Sequence, residues 1–558
     1  MKYLRIDLDG DFEEIASENE FVLTSKFGVK NNVNVFELNY SLLDASPMTA
    51  EAINQFFDQL PKETLSYRNI YYMRVFRPIH AIICQIESIV KRHDIDTIVL
   101  SGGSDVKFMT LVGGEGEGRH IMFQRSWLIN PCLDDYFNGE LQVQWKKKRS
   151  RLRFLVLHKV REFFLNLKIL IQYVKSVRAK EYINDISLKG SKNIFAFLNL
   201  NLQYNHIKNI FTEEQKEKLI IVAPSIANLP VKKDISFRVH WKDISGAYQE
   251  FNKVKRSIKT KKLIYIINGK KISIHTEIFF RSLRYDFIQQ KSRLSSVKRI
   301  LRDHVNKDTI FLTNMTFGED ILLVHALSNS LNVSHYNFQA VAMSKMLLPQ
   351  MKLADKYYLY SIQTYKLYQE FEKSYHYYLP DFPRIKKDAE LKTEGVIRVG
   401  IFTQPDTYTD RYLLFLDELI EKLNHWEMNL EFILKPHYRQ NKLQEFLMKV
   451  KDIESITIVD KTVSPEDVIS SCDFTISMTS SILFETIQLN CPGIIISFFD
   501  EDKAFIKASC FPEVNYEVKD FEDLEEIFGK PLEFKRKFLK RKDDYKGKYA
   551  GEDISKIF

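Results

Sequence analysis

Apolar residues recur along this chain in two forms, compact runs rich in Ile, Val, Leu and Phe, and longer stretches with helical spacing. The alternation is cleanest near the C-terminal end. Runs at 397–402, 430–434, 456–459, 474–477 and 493–497 predict strands. Stretches at 411–423, 442–451, 465–471 and 481–489 between them predict helices. Buried strands separated by helices build a parallel sheet with crossover helices, so this region predicts a compact Rossmann-like domain. A second such series lies upstream. Strand-like runs occur at 218–223, 262–267, 309–313 and 333–339, with helical patterns at 295–305 and 320–331. Further forward, a helical pattern at 71–92 leads into the apolar run 96–100 and then Ser101-Gly102-Gly103-Ser104-Asp105. Helix, apolar strand and Gly-rich turn follow the grammar of a doubly wound α/β domain. The first 57 residues carry short alternating runs (YLRIDLD, VNVFELN) that predict strands joined by polar turns. The alternation through Asp7-Leu8-Asp9 suits an exposed strand face.

These patterns divide the chain. Residues 1–369 read as an N-terminal α/β domain with a helical basic insertion at about 141–190. The charged, Pro-containing stretch 370–395 (LPDFPR within it) reads as a linker. Residues 396–530 form the second domain. The tail 531–558 is basic, with a helical pattern over 534–548, and is expected to reach back onto the first domain.

Composition narrows the class. The 558 residues are 45% hydrophobic and 28% charged, enough for several ordinary cores. The five cysteines are odd in number and scattered, with no Cys-x-x-Cys spacing, which predicts neither a disulfide framework nor a zinc site and fits a reducing compartment. The acidic start MKYLRIDLDGDFEE predicts no secretion signal, and no run of 18 uncharged apolar residues predicts a membrane span. The expected location is cytoplasmic.

Charge adds one local feature. Formal net charge is +8, yet 145–180 alone holds twelve Lys or Arg against one acid, Glu162, or +11, leaving about −3 for the rest. Within that segment His158, Arg161, Lys168, Gln172 and Lys175 recur at helical spacing beside Phe163, Phe164, Leu167, Leu170 and Val174. A broad apolar face beside a basic stripe suits an anionic membrane surface, reached from the inner face. The same pattern also suits a helix packed on the core with a solvated basic edge. No second basic face supports nucleic acid as partner.

Candidate chemistry concentrates at Asp473 to Ser497. A strand ends at Ser477, hydroxyls follow at Thr479, Ser480 and Ser481, and a helix begins, with Glu485 one turn after Ser481. Free N–H groups at a helix start, with hydroxyls beside them, suit a phosphate, and Glu485 is placed to accept ribose hydroxyls. The bland alternative is that the serines cap the helix and Glu485 is solvated. Lys435-Pro436-His437-Tyr438-Arg439 leaves the same sheet edge one strand-end away, so His437 and Arg439 join the candidate phosphate ligands. Gly113-Gly114-Glu115-Gly116-Glu117-Gly118 is a Gly-rich turn able to present a carboxylate, or a plain loop.

The C-terminal half resembles the nucleotide-binding domain of GT-B bacterial surface-polysaccharide glycosyltransferases. That group includes capsule Kdo transferases, polysialyltransferases and the glycerophosphate polymerases of teichoic acid synthesis. KPHY resembles the family's His-Pro loop, SMTSSILFE its Ser-Ser stretch, and HYNFQ followed by LADKYY its Gln-His-Gly turn and later Ala-Asp. Tyr438 stands where Pro is expected, and Asn337-Phe338-Gln339 lacks the His-Gly. The resemblance covers about 309–497. It implies a GT-B-like α/β fold, two Rossmann-like domains facing a cleft, and no metal or cofactor beyond a nucleotide-sugar donor as substrate. It implies that His437, Arg439, Thr479, Ser480 and Ser481 hold the donor phosphates and Glu485 its ribose, with Gln339 and Gln404 elsewhere in the cleft. Glu115 or Glu117 would be the catalytic base, and the acceptor a glycan or lipid-linked glycan. Alternatives are a CDP-glycerol-type glycerophosphotransferase, a nucleotide-sugar epimerase and a non-catalytic assembly protein.

Overall fold

A computed structural model describes residues 2–7, 19–24, 77–100, 126–145, parts of 163–184, 193–198, 210–258, 262–314, 319–338, 353–359, 375–377, 395–404, 409–498 and 511–549, apart from isolated positions within these spans and with a few single residues outside them. The chain divides into two compact units. One holds 1–340, 349–357 and 557–558, the other 341–348 and 358–556. The protein is mixed α/β with largely parallel sheets.

The chain begins with strands β1 (Tyr3–Asp7) and β2 (Glu20–Thr24), helix α1 (Arg77–His93), strand β3 (Thr97–Leu100), helix α2 (Ser126–Phe137) and strand β4 (Gln142–Trp145). The four strands form one parallel sheet in the order β2-β1-β3-β4. Leu8 and Asp9, and the side chain of Asp7, where the alternation suggests an exposed face, lie outside the described residues. Leu4 and Ile6 are fully buried, and Arg5 on the other face is buried in an ion pair with Glu20. The polar face is covered because its charge has a partner.

The larger sheet starts with β5 (Tyr182–Ile183), β6 (Ile194–Phe197), helix α3 (Glu213–Glu217), β7 (Leu219–Pro224), β8 (Ile235–Phe237) and helix α4 (Trp241–Ser257). A hairpin of β9 (Lys262–Ile267) and β10 (Lys270–His275) interrupts it, followed by α5 (Thr276–Leu301), β11 (Ile310–Thr313), α6 (Glu319–Leu331), β12 (Ser334–Phe338), β13 (Lys356–Leu359) and β14 (Tyr375–Tyr377). The order is β14-β13-β12-β11-β6-β7-β8-β5. From β6 the chain winds outward to β8, then returns through β11 to the other side of β6, which is the doubly wound pattern. The apolar runs Ile194–Phe197 and Ile310–Thr313 are buried along their whole length, as strands covered by helices on both faces require. Phe195, Phe197, Phe311, Val297 and Leu301 meet in the core beneath them.

The run at 262–267 is not a strand of that sheet. It pairs antiparallel with 270–275 across Asn268-Gly269, both at positive φ (48° and 78°). Asn-Gly is the preferred two-residue hairpin turn, because both central residues must reach the left-handed region. The hairpin docks on α1 and α2: Asn268 Nδ2 donates to Glu87 Oε2 of α1 at 2.9 Å, and Ser273 N donates to Asp135 Oδ2 of α2 at 2.9 Å.

The second unit carries β15 (Ile397–Phe402), α7 (Thr409–Leu423), β16 (Leu430–Lys435), α8 (Leu443–Val450), β17 (Ile456–Ile458), α9 (Pro465–Ser471), β18 (Phe474–Ser477), α10 (Ile482–Gln488), β19 (Gly493–Ile496), β20 (Tyr516–Val518), α11 (Phe521–Gly529) and α12 (Pro531–Lys548). Its six parallel strands lie in the order β17-β16-β15-β18-β19-β20. In order along the chain these are strands 3-2-1-4-5-6, the doubly wound arrangement of a Rossmann sheet. Local signals agree with it. Ser464 caps α9, whose first residue is Pro465, and Asp520 caps α11 by accepting from Asp523 N at 3.0 Å.

The basic tail helix α12 packs on this same unit. Lys535 Nζ donates to Asp473 Oδ1 at 2.5 Å, and Asp473 Oδ2 accepts from Arg398 N. Lys542 bonds Asn490 at the end of α10, and the Arg541 guanidinium sits over the Tyr516 ring. The tail also reaches residue 362, within the stretch 1–369 that the sequence assigns to the first domain: Tyr545 Oη accepts from Ile362 N at 3.4 Å, and 358–556 group with the second unit. Among the described residues, no helix is long and apolar enough to cross a membrane.

Candidate functional site

In a doubly wound sheet the ligand crevice opens beyond the strand C-termini where the winding reverses. In the second unit that point lies between β15 and β18. Their C-terminal ends, Phe402 and Ser477, sit at one edge beside Lys435, the end of β16. Three loops therefore start together, after Phe402, after Lys435 and after Ser477.

Hydrogen bonds fasten the three loops to one spine. On one side Thr403 N donates to Lys435 O at 3.1 Å, and Thr403 Oγ1 accepts from His437 N at 2.9 Å. Gln440, whose side chain is buried, donates through Nε2 to Gln404 O at 3.3 Å and accepts at Oε1 from the Thr409 hydroxyl at 3.3 Å. On the other side Ser477 Oγ and Tyr412 Oη both donate to Phe402 O, at 3.1 and 2.8 Å, and Tyr412 Oη accepts from Met478 N at 3.2 Å. The two motif loops read from sequence, KPHY and SMTSS, are thus joined through Phe402 and Thr403.

His437 is half-buried, anchored by its backbone. Ser480 is half-buried; its Oγ accepts from Ile482 N at 3.3 Å, so it caps the start of α10. A capping hydroxyl still has its own proton to donate. Glu485 is half-buried in the first turn of α10. Gln404 is buried beneath the loops rather than exposed. Arg439, Thr479, Ser481, Gln339, Glu115 and Glu117 lie outside the described residues.

Two buried cations flank this edge. Arg411, 1% exposed, sits in the first turn of α7. Lys435 Nζ donates to Pro436 O at 3.0 Å and Lys461 O at 2.9 Å, and burial lowers its pKa. Across from it the Thr462 hydroxyl and N–H hold the Asp460 carboxyl below the usual carboxylate range. Cations, hydroxyls and loop N–H groups at one sheet edge favour an anion.

Sequence reading missed Thr403, Tyr412 and Gln440. Only Tyr412 had a signal, as a helical position following a strand. Tyr412→Phe removes the hydroxyl that couples β15 to Met478 and leaves that N–H buried without its acceptor. We expect a loss of about 1–3 kcal/mol in unfolding free energy, read by denaturant titration, with the fold retained.

His335 in the first unit, part of the HYNFQ match, is buried within β12, where the sequence predicts a strand. Its Nδ1 lies 2.7 Å from Leu353 O and its Nε2 2.9 Å from the Thr313 hydroxyl. Since a carbonyl only accepts, the ring proton sits on Nδ1. Burial pulls the pKa down to about 3.

No family model matches the chain, and no curated protein matches it. Solved structures do. The N-terminal domain of Candida albicans trehalose-6-phosphate phosphatase shares 11% identity at a TM-score of 0.39, over 65% of this chain and 96% of that one. A putative UDP-N-acetylglucosamine 2-epimerase from Listeria monocytogenes shares 8% at 0.39, over 63% and 90%. TarM shares 9% at 0.37, over 64% and 95%. The α/β assignment rests on the strand orders, not on these distant superpositions.

Proposed function

We propose that this chain is a GT-B-type glycosyltransferase that moves a sugar from a nucleotide-sugar donor to a growing surface polysaccharide or lipid-linked glycan. One observation carries the reading. At the switch point of the second unit, Phe402 and Thr403 tie the KPHY loop to the start of the SMTSS stretch, with Arg411 and Lys435 buried at the same edge.

In this reading the donor phosphates lie against the His437 imidazole, Arg439 and the hydroxyls of Thr479, Ser480 and Ser481, and Glu485 takes the ribose. Charge develops on the phosphate as the glycosidic bond breaks. Donors fixed in advance stabilise that charge more than they stabilise the intact donor, which is what lowers the barrier. A carboxylate of the first unit, Glu115 or Glu117, removes the acceptor proton. Phosphate stabilisation by side chains makes the transfer metal-independent.

The test is release of free nucleotide from UDP-, GDP- and CMP-sugars in the presence of surface-glycan fragments. Release that depends on acceptor supports transfer. Conversion of the donor sugar without acceptor would instead indicate an epimerase.

A further inference from the structure

We propose that the helical segment 163–177 is an in-plane anchor that seats this chain on an anionic lipid bilayer. The segment has two distinct apolar surfaces. One fixes it to the fold: Ile169 is buried with Ile244, Ala247 and Ile288, Tyr173 packs beside them, and Asn166 Oδ1 accepts from the Tyr248 hydroxyl at 2.6 Å. The other is open to solvent. Phe163, Leu167, Leu170, Ile171, Val174 and Val177 are all exposed, Phe163 by 63%. At about 100° per residue these six fall within an arc of roughly 120°. A helix that already has a core contact does not need a second apolar face unless something covers it.

Charge indicates what covers it. The segment 145–180 carries +11, with twelve Lys or Arg against one acid. A second copy would bring an equally cationic segment against the first, whereas an anionic lipid surface attracts it. The surroundings match an interface. Trp241, 55% exposed, lies beside the helix with its ring 5.5 Å from that of Tyr173. Tyr182 and Ile183 of the next strand are also exposed. Trp and Tyr favour the headgroup level because their rings are apolar and their N–H or O–H is not. The mount is firm. Arg238 donates to Val177 O at 3.3 Å, Ser236 to Lys180 O at 3.1 Å. Glu181 follows directly and bonds His240 and Arg299, which hold its carboxyl below the usual range although burial pushes it up. Insertion of the helix would therefore carry the folded unit with it.

The proposal does not depend on the donor site. It is tested by co-sedimentation of the full chain with vesicles of phosphatidylcholine alone and with about one-third phosphatidylglycerol. The chain should pellet with the anionic vesicles, remain in solution with the neutral ones, and be released at about 1 M salt. Leu167→Ser/Leu170→Ser/Val174→Ser should lower partitioning on the order of a hundredfold, with an unchanged thermal midpoint because all three are exposed. Trp241→Ala, which leaves the helix intact, should lower it several-fold. No pelleting with anionic vesicles at low salt overturns the proposal, as does unchanged partitioning of the triple variant. A dimer in light scattering that the triple variant makes monomeric, without vesicle binding, assigns the face to a second copy instead.

Discussion

Between about pH 6.5 and 4.5 the unfolding free energy should fall by roughly 1.4 kcal/mol per pH unit through one histidine, and His335→Gln should remove that slope. His335 is fully buried and its pKa falls from 6.5 to about 3. The native state therefore holds the ring neutral while the unfolded chain binds a proton below pH 6.5. Its contribution is complete above that pH and is lost progressively as pH falls toward 3, by roughly 4 to 5 kcal/mol in all. Desolvation is the cause: a charged ring would sit among buried strands with only a hydroxyl and a carbonyl as partners. His325, also lowered by burial, adds a smaller change of the same sign. The carboxyls held low, such as Glu87 and Glu181, add a loss of the same sign from about pH 5.5 downward, where the unfolded chain begins to protonate them, so the difference between wild type and His335→Gln isolates the imidazole. Gln keeps polar reach but has no titration. A slope equal in wild type and variant would show that His335 is not held neutral.

His437→Ala should weaken nucleotide-sugar binding tenfold to a hundredfold, about 1.4–2.8 kcal/mol, without a comparable loss of stability. The His437 backbone N–H fastens the loop to Thr403 Oγ1, so Ala keeps that bond while removing the ring. Thr403→Val does the reverse. It keeps the ring but removes its anchor, and should weaken binding while also lowering stability by about 1–3 kcal/mol. Calorimetric affinity and denaturant midpoint measured on both variants separate a ligand from a structural role. Equal losses of stability in both would make His437 a packing residue.

Much of the second unit was legible. The runs at 397–402 and 474–477 are strands with those bounds, because their apolar side chains leave no other way to be buried. Tyr516–Val518 and Phe521–Gly529 were not read, since a three-residue edge strand with an outward Glu517 shows no clear pattern. The hairpin at Asn268-Gly269 had a signal that the apolar run KLIYII obscured. The site was legible only in halves. KPHY and SMTSS could be read as loops after strands, but their junction depends on strand order, a tertiary property. Thr403 and Tyr412 look ordinary in sequence and acquire their roles only when Phe402 lies between β16 and β18. The basic segment read as core-packed or membrane-facing, the core-packed reading slightly ahead. The structure gives it a core contact through Ile169 and, separately, an open apolar face.

The central claim is that the switch-point edge of the second unit holds the phosphate of a nucleotide-sugar donor. A thermal-shift series with UDP, GDP, CMP and their sugar conjugates tests it most directly, because a ligand at about 100 times its Kd stabilises the native state by about 2.7 kcal/mol. The account predicts a midpoint rise of a few degrees with one nucleotide class, absent or much reduced in His437→Ala. No rise with any of them, or an undiminished rise in that variant, would contradict it.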